Sequence, residues 1–284
     1  MSSASRALIL SAALAALTSA YARAGTEQST ATSASSSATE ALQEVTVTAQ
    51  RAKLAKRISK FVENVAAPED ENGLPRWNEP VCPLVLGLNQ ETDAFIRERI
   101  LDVAQTARLP VAYKTCRSNL FVVVTENPKA FLSGLGKLGR IDVFGDVFNP
   151  CKHISNFDID EFAVTPRAVS VWYQTNTTDR WGKAAAASSD FCYVSSDASR
   201  VARAALYDFS SVWVIADYSR LRGVTAGQFA DYIAMVSLAK IAPGAHIGEA
   251  PSILQLFQGT PKAAPAGLTE WDQAFLKSLY SPVA

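Results

Sequence analysis

The stretch SVWVIADYSRLRGVTAGQFADYIAMVSLAKI, residues Ser211–Ile241, carries the clearest structural pattern in the chain. An apolar strand ends at Asp217, and a polar turn leads into large apolar residues at helical spacing, at positions 229, 232, 233 and 236. Thr225 and Gln228 have the spacing of a capping box, so the helix is expected to begin there. Because the apolar stripe is wide, the pattern predicts a strand followed by a helix buried in the core.

Length and composition indicate a folded protein with a substantial core. The chain has 284 residues, of which 48% are hydrophobic and 19% charged. Lys and Arg together number 27, as do Asp and Glu together. This balance argues against a nucleic-acid partner, since such proteins carry a basic excess.

The first 24 residues have the pattern of a secretory signal peptide. Arg6 precedes the apolar run Ala7–Leu17, and the small-residue signals Ala20-Tyr21-Ala22 and Ala22-Arg23-Ala24 follow. The run is too short for a permanent membrane span, and no later segment approaches the length of one. We therefore expect a periplasmic or secreted protein with no membrane span after cleavage.

An exported protein with an even number of cysteines is expected to form disulfides. Cys82, Cys116, Cys151 and Cys192 allow three pairings. Pairing Cys82 with Cys116 and Cys151 with Cys192 is favoured, because each bond then closes a loop within one half of the chain. A zinc site is less favoured because the chain has no C-x-x-C pair, and a catalytic thiol because a nucleophilic cysteine would need a histidine nearby.

Residues 25–50 are expected to form a flexible linker, because Gly25–Thr39 is mostly Ser, Thr and Ala. The octapeptide EVTVTAQR, Glu44–Arg51, then alternates Val and Thr. It resembles the TonB box of TonB-dependent outer-membrane receptors, which adds as a strand to a periplasmic energy-coupling protein. The resemblance implies a partner-binding segment of Glu44, Val45, Thr46, Val47 and Thr48. A strand of the domain's own sheet and a neutral linker are the alternatives.

Residues 51–284 are predicted to form a single α+β domain with a mixed or antiparallel sheet packed with helices, since strands and helices do not alternate strictly. Predicted helices cover Arg51–Val65, Thr92–Ala107, a short segment after Asn127-Pro128, and Thr269–Tyr280. In the second of these, Phe95, Ile96, Ile100, Val103 and Ala104 are expected to face inward. Predicted strands are Leu120–Val124 and Ala168–Thr175, with Ser199–Phe209 and Ser211–Asp217 interpreted as two arms of a hairpin.

No complete catalytic or metal-binding motif is present, so we predict no catalytic residue, metal or cofactor. His153 and His246 lack the additional ligands of a zinc centre, and no G-x-S-x-G elbow occurs. The acids of FDIDEF, at 158, 160 and 161, are interpreted as a solvated turn; the alternative is a strand with Asp158 and Asp160 on one side, which could bind Ca²⁺. The candidate polar site is Asp217, at the end of an apolar strand, together with Asp231 on the helix. Asp217 could equally cap the following turn.

Several blocks of the chain are similar to a group of uncharacterised secreted proteins of Gram-negative bacteria, some with a TonB-box-like leader. These blocks are RWNEPVCPLVLGL, CRSNLFVVVT, VWY, VIAD, FADYIAMVSLAKI, SILQLF and LTEWDQAFLKSLY. The last three also resemble the end of zincin-like domains, whose active members carry His-Glu-x-x-His on the helix. Here the matching stretch, Asp231–Met235, offers one potential ligand.

The zincin resemblance implies a degenerate scaffold that keeps the frame without the chemistry. The favoured interpretation is a non-catalytic exported domain that acts by binding, in the periplasm or at the cell surface. One alternative is a zincin-like hydrolase with an unrecognised site around Asp217 and Asp231. The other is an adaptor that binds TonB-type machinery through Glu44–Arg51.

Overall fold

The computed structural model describes residues 50–69, 73–112, 115–137, 149–154, 166–194 and 205–281. The chain divides into two compact units, Met1–Lys53 and Leu54–Ala284. Of the first unit only residues 50–53 are described, and they are helical. The predicted signal peptide, the linker and all but the last two residues of Glu44–Arg51 lie outside the described residues.

The described strands and helices of the second unit confirm the predicted α+β class. Its strands are β1 (Pro83–Leu86), β2 (Leu120–Thr125), β3 (Lys152–Ile154), β4 (Val169–Thr178), β5 (Ala186–Ser188), β6 (Phe191–Tyr193) and β7 (Leu206–Asp217). Its helices are α1 (54–65), α2 (Gln90–Thr106), α3 (Pro128–Lys137), α4 (Ala226–Leu238) and α5 (Glu270–Tyr280).

The main sheet is mixed. Its five described strands have the order β1-β2-β7-β4-β3. β1, β2 and β7 run parallel, whereas β4 is antiparallel to β7 and β3 is antiparallel to β4. The uninterrupted apolar strand β2 lies between β1 and β7, as its sequence predicts for a strand covered on both faces.

The prediction of a hairpin before Asp217 is wrong, because residues 206–217 form one continuous strand, β7. Gln174 pairs with Ser211 and Thr175 with Phe209, so Ser210 is the extra residue of a β-bulge. No Gly, Pro or Asn occurs in this strand to favour a turn. The chain therefore bends at the bulge and continues along the same partner, β4.

The helices cover both faces of the sheet. α2 and α4 pack together on one face, where Ile96, Ile100, Val122, Val214 and Ile233 belong to one buried cluster. On the other face, α3 places Leu132 against Trp172 and Ile215. The central helix α4 begins with the predicted capping box of Thr225 and Gln228. It is buried over most of its length, as the width of its apolar stripe predicts.

The first and second helices bury most of the apolar residues predicted to face inward, although Leu54 and Phe95 are exposed. In α1, Phe61 and Val65 are buried, and the ring of Phe61 meets that of Trp271 edge-on at 5.8 Å. This contact confirms that the apolar face of the helix docks on the domain. In α2, the prediction that Phe95 faces inward is wrong, since its side chain is 44% exposed. Leu101, which is not among the residues predicted to face inward, is buried on this helix.

Both disulfides have the favoured pairing. Cys82 bonds to Cys116 and Cys151 bonds to Cys192, with Cα–Cα distances of 6.2 and 5.0 Å. Such bonds are typical of proteins that fold in an oxidising, extracytoplasmic compartment. Within the described ranges, no helix has both the length and the apolar character needed to cross a bilayer.

Candidate functional site

Asp217 lies at the carboxyl end of β7 and caps the short 3-10 helix that follows. Its Oδ1 accepts hydrogen bonds from the Ser219 N–H and hydroxyl, at 3.0 and 2.6 Å. Its Oδ2 lies 3.2 Å from Nε of Arg220. Both carboxylate oxygens are therefore engaged locally, in the capping arrangement that the sequence offers as the alternative to a site.

Asp231 lies in α4 and connects three elements of the fold. Arg99 of α2 donates to it through Nε and NH2, at 2.5 and 3.1 Å. The Leu268 N–H, just before α5, donates to Oδ2 at 2.9 Å. The Asp231 carboxylate raises the pKa of the Arg99 guanidinium through these hydrogen bonds. Through these hydrogen bonds, Asp231 of α4 links that helix to α2 and to the start of α5.

The histidines lie apart from these carboxylates. His153 Nε2 lies 2.8 Å from the Thr177 hydroxyl, and its ring meets that of Tyr207 edge-on. His246 and Glu249 are exposed in the loop after α4. The acids at 158, 160 and 161 lie outside the described residues. In the described part of the chain, no group of three or more His, Cys, Asp or Glu side chains is arranged to hold a metal ion.

The feature with the clearest chemical character is a cleft of about 580 Å³, here called the basic cleft. It lies between the first half of β4, the second half of α4, the loop at 241–244 and the 3-10 helix Ile253–Phe257. Its lining is mixed, and the apolar part of the wall includes Val169, Val171, Val236, Leu256 and Phe257. Tyr173 holds this wall together, since its hydroxyl donates to the Val236 carbonyl at 2.7 Å and accepts from the Ile241 N–H at 3.2 Å.

The charged side chains of the basic cleft are all cationic. Arg167, Arg220, Arg222 and Lys240 line it, and no Asp or Glu is found among its described lining residues. Lys240 forms a nearly buried ion pair with Glu69, Nζ to Oε1 2.8 Å. Arg222 is exposed and forms no ion pair within the described ranges. Arg222 is therefore the cation best placed to meet an incoming anion.

Tyr232 adds a polar group to the apolar wall. Its ring packs edge-on against Phe257, with centroids 4.8 Å apart, and burial raises the pKa of its hydroxyl to about 12. The hydroxyl makes no hydrogen bond to another described residue, so it can donate to a bound ligand. It remains protonated at neutral pH, because its pKa lies far above that range.

A second cleft, of about 680 Å³, lies at the carboxyl ends of β1, β2 and β7. Parallel sheets often bind ligands at this edge. Its described charged side chains are Glu126 and Arg222, so it has no excess of either charge. Because Arg222 lines both clefts, the turn between β7 and α4 separates them. The basic cleft has the more specific chemistry of the two.

Sequence reasoning names Tyr232 for its helical spacing but none of the cations of the basic cleft. The available signal is the pair Arg220 and Arg222, two cations in a short turn between a buried strand and a buried helix. Arg167 and Lys240 join them only because β4 lies beside α4, which the sequence does not show.

The chain matches no protein-family model, no curated protein and no solved structure. The resemblances to secreted Gram-negative proteins, to zincin-like domains and to the TonB box therefore stay predictions. The chemistry of the basic cleft is the strongest indication of a function.

Proposed function

We propose that this protein is a non-catalytic binding protein of the periplasm or the cell exterior, which takes a small amphipathic anion in the basic cleft. The observation that carries the proposal is the combination of an apolar wall with cationic side chains and no carboxylate among the described lining residues. A volume of about 580 Å³ is in the range of small-molecule sites. The two disulfides support an extracytoplasmic setting.

The cleft offers each part of such a ligand a different contact. The apolar part would lie against Val169, Val236 and Phe257, where its burial is favourable. The anionic head would meet Arg222, which forms no ion pair with another described residue. Lys240 is less available, because Glu69 already neutralises it at 2.8 Å. Tyr232 would donate a hydrogen bond from the wall.

The alternative of a zincin-like hydrolase has less support. A hydrolytic site around Asp217 and Asp231 would need carboxylate oxygens directed at a substrate. Asp217 instead accepts from Ser219 and pairs with Arg220, while Asp231 accepts from Arg99 and the Leu268 N–H. Neither carboxylate lines the basic cleft. These contacts favour binding over catalysis.

The proposal is tested by displacement of a fluorescent anion, anilinonaphthalene sulfonate, from the purified mature chain. Decanoate and decyl phosphate are expected to displace it, whereas decanol should compete weakly and decyltrimethylammonium not at all. Arg222→Gln should weaken decanoate binding by roughly tenfold, since a charge-assisted hydrogen bond contributes about 1.5 kcal/mol or more.

Arg97→Gln is the matched control, because Arg97 is an exposed arginine of α2 outside the cleft. It should bind decanoate as the parent does. Equal displacement by the anions and by decyltrimethylammonium, or equal affinities for the two arginine variants, would contradict the proposal.

A further inference from the structure

A small hairpin projects two aromatic side chains into solvent. β5 and β6 form a two-stranded sheet in which Ala186 pairs with Tyr193 and Ser188 with Phe191. Phe191 is 65% exposed and Tyr193 is 56% exposed. The residues opposite them are too small to cover the rings. Phe191 and Tyr193 therefore present apolar surface that the described fold leaves open.

A disulfide fixes the direction of these rings. Cys192 lies between Phe191 and Tyr193 in β6 and bonds to Cys151, with the two Cα atoms 5.0 Å apart. Since side chains alternate along a strand, the rings lie on the face opposite the disulfide. A two-stranded hairpin alone is marginally stable in water. The covalent link thus holds a weak element in place with its aromatic face outward.

The connection that leads into the hairpin adds a third exposed aromatic ring and several cations. Trp181 is 63% exposed, and the Arg180 guanidinium lies 4.2 Å from its ring centroid. Arg180 and Lys183 are exposed, as is Lys152 beside the disulfide, whereas Asp190 is the one exposed acid in the described ranges 149–154 and 179–194. In these two described ranges, exposed positive side chains therefore outnumber exposed negative ones.

We propose that residues 179–194, here called the aromatic hairpin, dock on an anionic lipid surface. Aromatic side chains favour the interface between lipid and water. Basic residues close to an anionic leaflet each contribute about 1 kcal/mol of attraction. A narrow hairpin with three exposed rings suits shallow insertion among headgroups. We prefer a lipid surface to a protein partner because a stable protein interface needs roughly 800 Å² on each partner, with a packed core.

This surface is separate from the basic cleft. None of the residues of the aromatic hairpin lines the cleft. Failure of one proposal therefore leaves the other standing.

Co-sedimentation of the oxidised mature chain with lipid vesicles tests the proposal. We expect binding to vesicles of phosphatidylcholine mixed with phosphatidylglycerol, weaker binding to phosphatidylcholine alone, and loss of binding as salt is added. The double variant Phe191→Ser/Tyr193→Ser should bind at least tenfold more weakly, since each ring loses favourable burial. Lys183→Gln should reduce binding about fivefold.

The matched control is Phe95→Ser, which removes a 44% exposed aromatic ring from α2. It should bind vesicles as the parent does, and unchanged thermal midpoints would show that all variants fold. Equal binding of the hairpin and control variants, or no binding to anionic vesicles, would overturn the proposal. So would a preference for neutral polysaccharide over vesicles, or a dimer that the hairpin variant abolishes.

Discussion

Replacing Arg99 by methionine is expected to destabilise the second unit more than replacing Asp231 by asparagine. The two side chains form a bidentate ion pair between α2 and α4. Their exposure is unequal, since the Arg99 side chain is 41% exposed and that of Asp231 is 5% exposed. Arg99→Met leaves a nearly buried carboxylate whose remaining donor is the Leu268 N–H. Asp231→Asn leaves a guanidinium that can extend into water.

The magnitudes follow from this asymmetry. Removing one partner of a buried pair costs about 3–5 kcal/mol, and the lower end, about 3 kcal/mol, applies to Arg99→Met because water screens a half-exposed arginine. Asp231→Asn keeps an acceptor for the Leu268 N–H, so its cost is about 1–2 kcal/mol. At roughly 2–4 °C per kcal/mol, the melting temperature should fall by about 6–12 °C and about 2–8 °C respectively.

Thermal unfolding followed by circular dichroism, with the disulfides intact, measures both variants and the double variant. Adding Asp231→Asn to Arg99→Met should restore part of the lost stability, because it removes the uncompensated charge. The double variant should therefore be more stable than Arg99→Met alone, with a coupling energy of at least about 1 kcal/mol.

Two results would refute this reasoning. If the second substitution lowers the melting temperature further, the carboxylate of Asp231 is not an uncompensated buried charge in the absence of Arg99. If Asp231→Asn leaves the melting temperature unchanged but abolishes binding of a ligand or metal, Asp231 belongs to a functional site, as its place on the helix suggests.

Three further predictions concern other parts of the chain. Gly267→Ala should destabilise, because its Cβ would clash sterically with Asp231 Oδ2, whereas Gly227→Ala, in the first turn of α4, would meet the Thr225 hydroxyl at 4.0 Å, an ordinary contact, and should stabilise by about 0.5–1 kcal/mol. Urea denaturation compares the two. Burial raises the pKa of the Asp208 carboxyl in the folded protein. The folded state therefore binds this proton more tightly than the unfolded state does, and the stability gained from it is lost as pH rises through the folded pKa. Asp208→Asn should therefore match or exceed the parent in unfolding free energy at about pH 7, with the difference shrinking towards about pH 4. Deleting Glu44–Arg51 should reduce recovery of a TonB-type protein in a pulldown, and equal recovery would end the adaptor hypothesis.

Local sequence signals predict the helix starts and the buried strands well. The capping boxes at Thr225 and Thr269 are both present, because each depends on two side chains three residues apart. The second capping box, at Thr269 and Asp272, also makes contacts that its sequence does not predict. Asp272 also accepts from the Ser252 hydroxyl and the Ile253 N–H, and so ties the 3-10 helix to α5.

Contacts between distant segments account for what the sequence does not show. Arg99 and Asp231 are 132 residues apart, and nothing near either residue indicates the other. The bulge at Ser210 is equally hidden, since it depends on the register that β4 imposes on β7. Phe95 faces solvent because it lies about 100° around the helix from Ile96, outside the buried stripe. The ion pair and the bulge are therefore decided by the partner surface, whereas the exposure of Phe95 follows from its position on its own helix.

Two faces of the central helix α4 have different roles, one in packing the fold and one in the proposed binding function. Asp231 faces α2 and is neutralised there by Arg99, so this carboxylate contributes to packing. Tyr232 and Val236, one turn apart, form a different stripe that lines the basic cleft, and Lys240 follows just beyond the helix end. The aromatic hydroxyl and the apolar side chain suit the body of an amphipathic ligand, and Arg222 on the facing turn would meet its anionic head, since Lys240 is paired with Glu69. None of the three side chains Tyr232, Val236 and Lys240 belongs to the His, Cys, Asp or Glu set from which zinc takes its ligands, so the helix face that reaches the cleft favours anion binding over the metal chemistry of active zincins.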